Sequence, residues 1–247
     1  SNVPNGLDSS NPLNEIQVAR RIKQIINKIY DYEVENKSDD DSDGSDDSDN
    51  NDNNVTCKLQ YLITDYDSDF VSIDKNIKIF KSHYETNPDD LYNLLEGLFN
   101  VLIYLYKTYG FIHWDLHYEN LLVNKNNFTE FLLFDFNYSE MFGMENNEFI
   151  EACNFDYGID VAEIINQMEL PDKISNKRNY YGLVNDITKY FISLKLNLKI
   201  DMTNFNFKKG NKIIEILVDV KPYEDLVEFY TKIIPDMCIK FADILDY

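Results

Sequence analysis

Residues 111–137 read FIHWDLHYENLLVNKNNFTEFLLFDFN, and this stretch decides the fold. Leu121-Leu122-Val123 and Phe131 to Phe134 are short apolar runs on either side of Asn124-Lys125-Asn126-Asn127. Runs of that length around an Asn-rich turn predict a hairpin of two buried strands. Asp115 and Asn120 lie just before the first strand, and Asp135 ends the second. A hairpin therefore brings three polar groups toward one end, an arrangement suited to holding metal ions against a phosphate.

Working outward, Asn87-Pro88-Asp89-Asp90 opens a helix, with proline in the first turn and two carboxylates at the positive end of the dipole. Leu91, Leu94, Leu95, Leu98, Val101, Leu102 and Leu105 recur at helical spacing, and Gly110 is placed to cap the C-terminus. A long helix thus runs directly into His113.

In the other direction, residues 138–155 read as loop. Phe155 to Ile165 reads as the start of a helix, and further helices are expected at 179–195 and 223–246. The residues between those two, with Lys208-Lys209-Gly210, read as loop.

Upstream, Leu13 to Tyr30 places Ile16, Ala19, Ile22, Ile25, Ile26 and Ile29 three or four apart, an amphipathic helix with Glu15 in its first turn. Residues 33–54 carry ten acidic residues against one lysine, and such a segment buries too little apolar surface to fold. It is expected to be a disordered acidic insertion. Cys57 to Tyr66 has the composition and alternation of a strand, and Phe70 to Phe80 reads as a second short strand leading into a helix.

Composition narrows the function classes. The chain has 247 residues, 44% hydrophobic with 18 Tyr and 16 Phe, enough for one large domain or two lobes. The net charge of -21 argues against nucleic acid or an anionic membrane as partner, since both call for a basic face. No apolar run reaches membrane-helix length, and no signal-peptide pattern opens the sequence. Three widely spaced cysteines and three histidines argue against a structural zinc site and favour an intracellular, cytoplasmic setting.

The residues quoted so far resemble the catalytic core of the protein-kinase-like superfamily, whose signatures are H-R-D-L-x-x-x-N and D-F-G on either side of a hairpin. Here they read H-W-D-L-H-Y-E-N (His113 to Asn120) and D-F-N (Asp135 to Asn137). The resemblance implies an α+β, two-lobed protein-kinase-like fold. A truncated small lobe would occupy 1–66 and a mostly helical large lobe 67–247. It implies ATP and Mg2+ as cofactors and a hydroxyl-bearing acceptor, a protein Ser/Thr more than a small molecule.

By that resemblance Asp115 would orient the acceptor hydroxyl and take its proton, while Asn120 and Asp135 would hold magnesium. His117 would meet the γ-phosphate. His113 would pack and hydrogen-bond the loop near the D-F-N element. Thr64, Asp65 and Tyr66 would lie at the hinge that grips adenine. Glu15 reads either as the ion-pairing glutamate of the small lobe or as a surface residue favoured by the helix dipole. Asp156, with Asp160 as runner-up, would brace the catalytic-loop backbone.

The chain departs from the pattern in four places. Trp114 replaces the arginine that reads an activation-segment phosphate, so switching of that type is not expected. His117 replaces a lysine, as in choline and aminoglycoside phosphotransferases. Asn137 replaces glycine, a mild change because Asn tolerates left-handed backbone. No G-x-G-x-x-G occurs, and no lysine precedes Glu15. The first strands of the small lobe are therefore missing from this stretch of chain. That leaves an exposed sheet edge as an association site, and a non-catalytic binding module as the alternative to an enzyme.

Overall fold

The computed structural model describes residues 68–141, 147–200, 202 and 211–245. The helix expected at 13–30 with Glu15, the acidic segment 33–54, the strand expected at 57–66 with Thr64, Asp65 and Tyr66, and Lys208-Lys209-Gly210 lie outside the described residues.

The architecture is α+β, with most described residues helical and one small antiparallel sheet. β1 (Phe70–Ser72) leads to α1 (Ile77–Thr86) and α2 (Pro88–Tyr109). The hairpin β2 (Leu121–Asn124) and β3 (Asn127–Leu133) follows. Then come α3 (Glu148–Asp156), α4 (Val161–Gln167), α5 (Lys177–Leu198), α6 (Lys212–Val218) and α7 (Leu226–Glu228). α7 continues through a π-helical turn (Phe229–Ile233) into α8 (Ile234–Phe241). The π turn has a local cause. Pro235 has no N–H to donate one turn back, so the hydrogen-bond ladder shifts just before it.

α2 forms as its sequence demands. Pro88 occupies its first turn with Asp89 and Asp90 beside it, and Leu91, Leu94, Leu95, Leu98, Val101, Leu102 and Leu105 are all buried. Gly110 adopts φ 62°, where its N–H reaches the carbonyl of Tyr106 at 2.8 Å and the next N–H, of Phe111, returns to Leu105. A side chain there would pay for left-handed backbone. This cap turns the chain sharply into the loop that begins at Phe111.

The sheet has the order β1-β2-β3. Leu121 pairs with Leu133 and Val123 with Phe131, and Asn124 Oδ1 accepts the N–H of Asn126 to close the turn. The strands are less buried than expected. β2 alternates, with Leu121 and Val123 inside, whereas in β3 Leu133 alone is buried, Asn127 is exposed and the rest is half-buried. α1 docks on the hairpin through His83, stacked on Phe128 at 3.7 Å, and through the Tyr84 hydroxyl, which donates to the Phe128 carbonyl at 2.9 Å.

α5 is the central helix of the unit from Ser68 onward. Tyr180, Tyr181, Leu183, Val184, Ile187, Tyr190, Phe191 and Leu194 are buried around its whole circumference, between α2 and α8. Two expectations need correction. Residues 148–156 form α3 rather than loop, anchored by buried Phe149 and Cys153. Residues 212–218 form α6, capped by Asn211 Oδ1 and anchored by Ile213, Ile214 and Leu217. Among the described residues, no helix is long and apolar enough to cross a membrane.

Candidate active site

The loop between α2 and β2 carries His113, Asp115, His117 and Asn120, and it is fastened from behind by α5. The backbone N–H of His113 donates to Asp186 Oδ2 at 2.7 Å, and Asn185 Nδ2 donates to the carbonyl of Trp114 at 3.1 Å. Both side chains are fully buried. Further along, the Tyr118 N–H reaches the Ser193 hydroxyl at 3.2 Å. The brace expected from Asp156 or Asp160 therefore comes from Asp186 instead. Asp156 is exposed on α3, and Asp160 spends its carboxylate capping α4, accepting the Glu163 N–H at 2.8 Å. Burial pushes the Asp186 carboxyl up to about 8, against the pull of the His113 N–H and of Lys189.

Trp114 is the strained point of the loop. It has φ 64° and is wholly buried, with its ring stacked on Phe149 at 5.2 Å and the Arg178 guanidinium 5.5 Å from its centroid. Left-handed backbone at a bulky residue persists only where its surroundings over-determine it, and the clamp from Asn185 and Asp186 does that here. Trp114 therefore fills an inward position, as its departure from the arginine pattern allows.

His113 is structural. Its Nε2 lies 2.9 Å from the carbonyl of Phe134, an acceptor only, so Nε2 carries the proton and donates. Its ring sits 5.5 Å from that of Phe136. Burial lowers its pKa to about 4, keeping the ring neutral at pH 7. The expected packing of His113 against the Asp135-Phe136-Asn137 element is thus observed.

Asp115 is the hub. Its Oδ1 accepts from Lys189 Nζ at 2.5 Å, and its Oδ2 lies 3.6 Å from His117 Nε2 and 3.4 Å from Asn120 Nδ2. Asn120 Nδ2 also donates to the Asp115 carbonyl at 2.8 Å. Burial alone would raise the Asp115 carboxyl. The neighbouring His117 ring and the charge and hydrogen bond of Lys189 outweigh it and hold the group well below the usual carboxylate range. A neutral imidazole accepts at one nitrogen only, so the His117 contacts with the Glu119 N–H at 3.3 Å and with Asn120 Nδ2 at 3.2 Å compete.

Asp135 is brought to the same end of the hairpin. The N–H of Phe134 donates to the Asn120 carbonyl at 2.9 Å, and Asp135 then turns with φ 56°. None of the Asn120 bonds uses its amide oxygen. Asn120 Oδ1 and the Asp135 carboxylate are hard oxygen donors, the chemistry magnesium takes when one or two protein ligands share it with phosphate and water. Among the described residues, no group of three or more His, Cys, Asp or Glu is placed to hold a metal ion in an all-protein cage.

The segment after Asp135 is tied back to the loop. Ile112 and Glu140 exchange both backbone hydrogen bonds, at 3.0 and 2.9 Å. Buried Glu140 receives both guanidinium nitrogens of Arg178, one at 2.6 Å.

The structure thus brings Asp115, His117 and Asn120 into direct contact and places Asp135 alongside, while Glu15, Thr64, Asp65 and Tyr66 lie outside the described residues. Sequence reasoning missed Lys189, Asn185, Asp186 and the Glu140–Arg178 pair. Nothing local set Asn185 and Asp186 apart, since α5 also carries Thr188, Lys189, Ser193 and Lys195. Comparison with protein-family models, with curated proteins and with solved structures finds no match to this chain.

Proposed function

We propose that the chain is an ATP-dependent phosphotransferase of the protein-kinase-like fold, passing a phosphoryl group to a hydroxyl, with a protein Ser/Thr as the acceptor. The observation that carries this reading is the Asp115 carboxylate. It is held on both oxygens, on a loop clamped by α5, beside two oxygen donors suited to magnesium. Phosphoryl transfer asks the protein for positioning and charge neutralisation more than for covalent chemistry.

In this reading Asp115 orients the acceptor hydroxyl and takes its proton. Asn120 Oδ1 and Asp135 hold magnesium, which when bound neutralises charge on the phosphates. Asn120 does double duty, because its amide nitrogen fixes Asp115 while its oxygen faces away from that bond. His113 ties the loop to the Asp135 turn, so the base and the metal donors keep a fixed separation.

A second reading is a non-catalytic binding module, favoured by the buried tryptophan at position 114 and the histidine at position 117, where the resemblance would place an arginine and a lysine. One experiment separates the two. The full chain is incubated with magnesium and labelled ATP beside an Asp115→Ala control, with generic protein acceptors and with small aminated or hydroxylated acceptors. Transfer that Asp115→Ala abolishes supports the enzyme, and the acceptor labelled distinguishes protein from small molecule. No transfer by a folded preparation sinks the enzyme reading in favour of the binding module.

A further inference from the structure

We infer that Lys189 is a further catalytic residue, whose ammonium grips the phosphoryl group as it passes to the acceptor hydroxyl. The inference rests on the phosphotransferase reading above and adds to it the source of the site's positive charge.

The loop itself supplies no cation. Position 117, two residues after Asp115, is a histidine, and position 114 is a buried tryptophan. The positive charge comes from a different element, 74 residues away. Lys189 Nζ lies 2.5 Å from Asp115 Oδ1, and among the described residues no other lysine or arginine pairs with Asp115 or Asp135. Its placement is not accidental to a flexible side chain. Lys189 follows Asn185 and Asp186 by one turn of α5, and those two side chains hold the loop backbone at Trp114 and His113. The helix that fixes the loop therefore fixes the ammonium against the base.

Charge arithmetic gives the pair its meaning. Two carboxylates, Asp115 and Asp135, would repel the phosphates of a nucleoside triphosphate. Lys189 cancels one of them, in a partly desolvated position with 15% of its side chain exposed, where a charge acts more strongly than in water. A lysine ammonium has three donors. One serves Asp115, and the others remain for the non-bridging oxygens of the moving group.

In the step itself, the bond between the terminal phosphorus and the oxygen of the leaving diphosphate breaks. A bond from the acceptor oxygen to that phosphorus forms, and the acceptor proton passes to Asp115. Lys189 neither gains nor loses a proton. It neutralises charge on the phosphoryl oxygens and keeps Asp115 turned toward the acceptor.

The test has two arms. In the first, Lys189→Met is expected to lower kcat roughly 10²–10³-fold with the nucleotide KM within about threefold, and Lys189→Arg to recover roughly tenfold of the loss. In the second, wild-type protein is acylated with acetic anhydride and labelling at Lys189 is read by peptide mass spectrometry. Magnesium with nucleoside triphosphate is expected to protect Lys189 more than magnesium with diphosphate. This arm decides even if Lys189→Met does not fold. If wild type transfers phosphate and Asp115→Ala stops it, but Lys189→Met keeps its kcat or both nucleotides protect equally, the inference fails while the phosphotransferase reading stands. If the wild type binds no nucleotide by calorimetry, both fall together.

Discussion

The side-chain carboxyl of Asp186 accepts the backbone N–H of His113 at 2.7 Å, across 73 residues of sequence and with both groups fully buried. Its neighbour Asn185 holds the carbonyl of Trp114, so consecutive side chains of α5 grip consecutive residues of the loop. The grip sustains φ 64° at Trp114, a conformation that disfavours a residue other than glycine by roughly 1–2 kcal/mol. Asp186→Ala leaves the His113 N–H buried and unpaired, and is expected to destabilise the fold by about 1–3 kcal/mol in urea unfolding. Asp186→Asn keeps an acceptor oxygen and should lose less. If the alanine variant unfolds at the wild-type midpoint, the clamp is not what holds the loop.

Gly182 stands where α5 packs tightly against that loop. A Cβ there would stand 2.6 Å from Ile112 Cγ2 and 3.0 Å from Trp114 Cη2. Ile112 cannot readily yield, being buried and bonded twice to Glu140. Alanine would gain about 1 kcal/mol of helix propensity, but overpacking typically costs about 1–3 kcal/mol. Gly182→Ala should therefore lower the thermal midpoint. A raised midpoint would mean that helix and loop separate at little expense.

His113 sets a pH dependence with a definite sign. Burial lowers the ring to about 4 from its ordinary 6.5. Between those values the unfolded chain takes up a proton that the folded ring refuses. The contribution to stability is full above about pH 6.5 and is lost as pH falls toward 4. Over the interval from pH 7 to pH 5 that loss is about 2 kcal/mol. In His113→Gln the term is absent, so the stability gap between wild type and variant should narrow by that amount at pH 5. Urea unfolding at the two pH values reads it directly, and a gap that stays constant would mean the ring is not held neutral.

What could be read in advance, and what could not, follows from the range of the forces involved. α2 was legible because Pro88, the leucine stripe and Gly110 are local signals that need no tertiary partner. The hairpin was legible for the same reason, and with it the proximity of Asp115, Asn120 and Asp135. Asp186 was not, because α5 is buried on every side and shows no polar face against which a buried Asn-Asp pair would stand out. Asp156 and Asp160 looked better placed because the stretch from Phe155 to Val161 resembles the start of a central helix, whereas the central helix is α5. α3 escaped notice because Phe149 and Cys153 are its only buried anchors and Phe155 is left exposed. Lys189 carries no local mark at all, since its role exists only once α5 lies across the loop.

The ion pair of buried Glu140 with half-buried Arg178 fastens the segment after Asp135 at Glu140. Glu140 is 4% exposed and receives both arms of the guanidinium, which also stands over Trp114. Removing one partner of such a pair leaves an uncompensated charge and typically costs about 3–5 kcal/mol. Glu140→Ala should show a loss of that order, whereas Glu140→Gln keeps an acceptor for one arm and should lose less. Arg178→Met alone strands the buried carboxylate. The double variant Glu140→Ala with Arg178→Met removes both charges, so its loss should be smaller than the sum of the two single losses, by a coupling in the range of about 1–3 kcal/mol. Additive losses in the cycle would mean that the two side chains contribute independently.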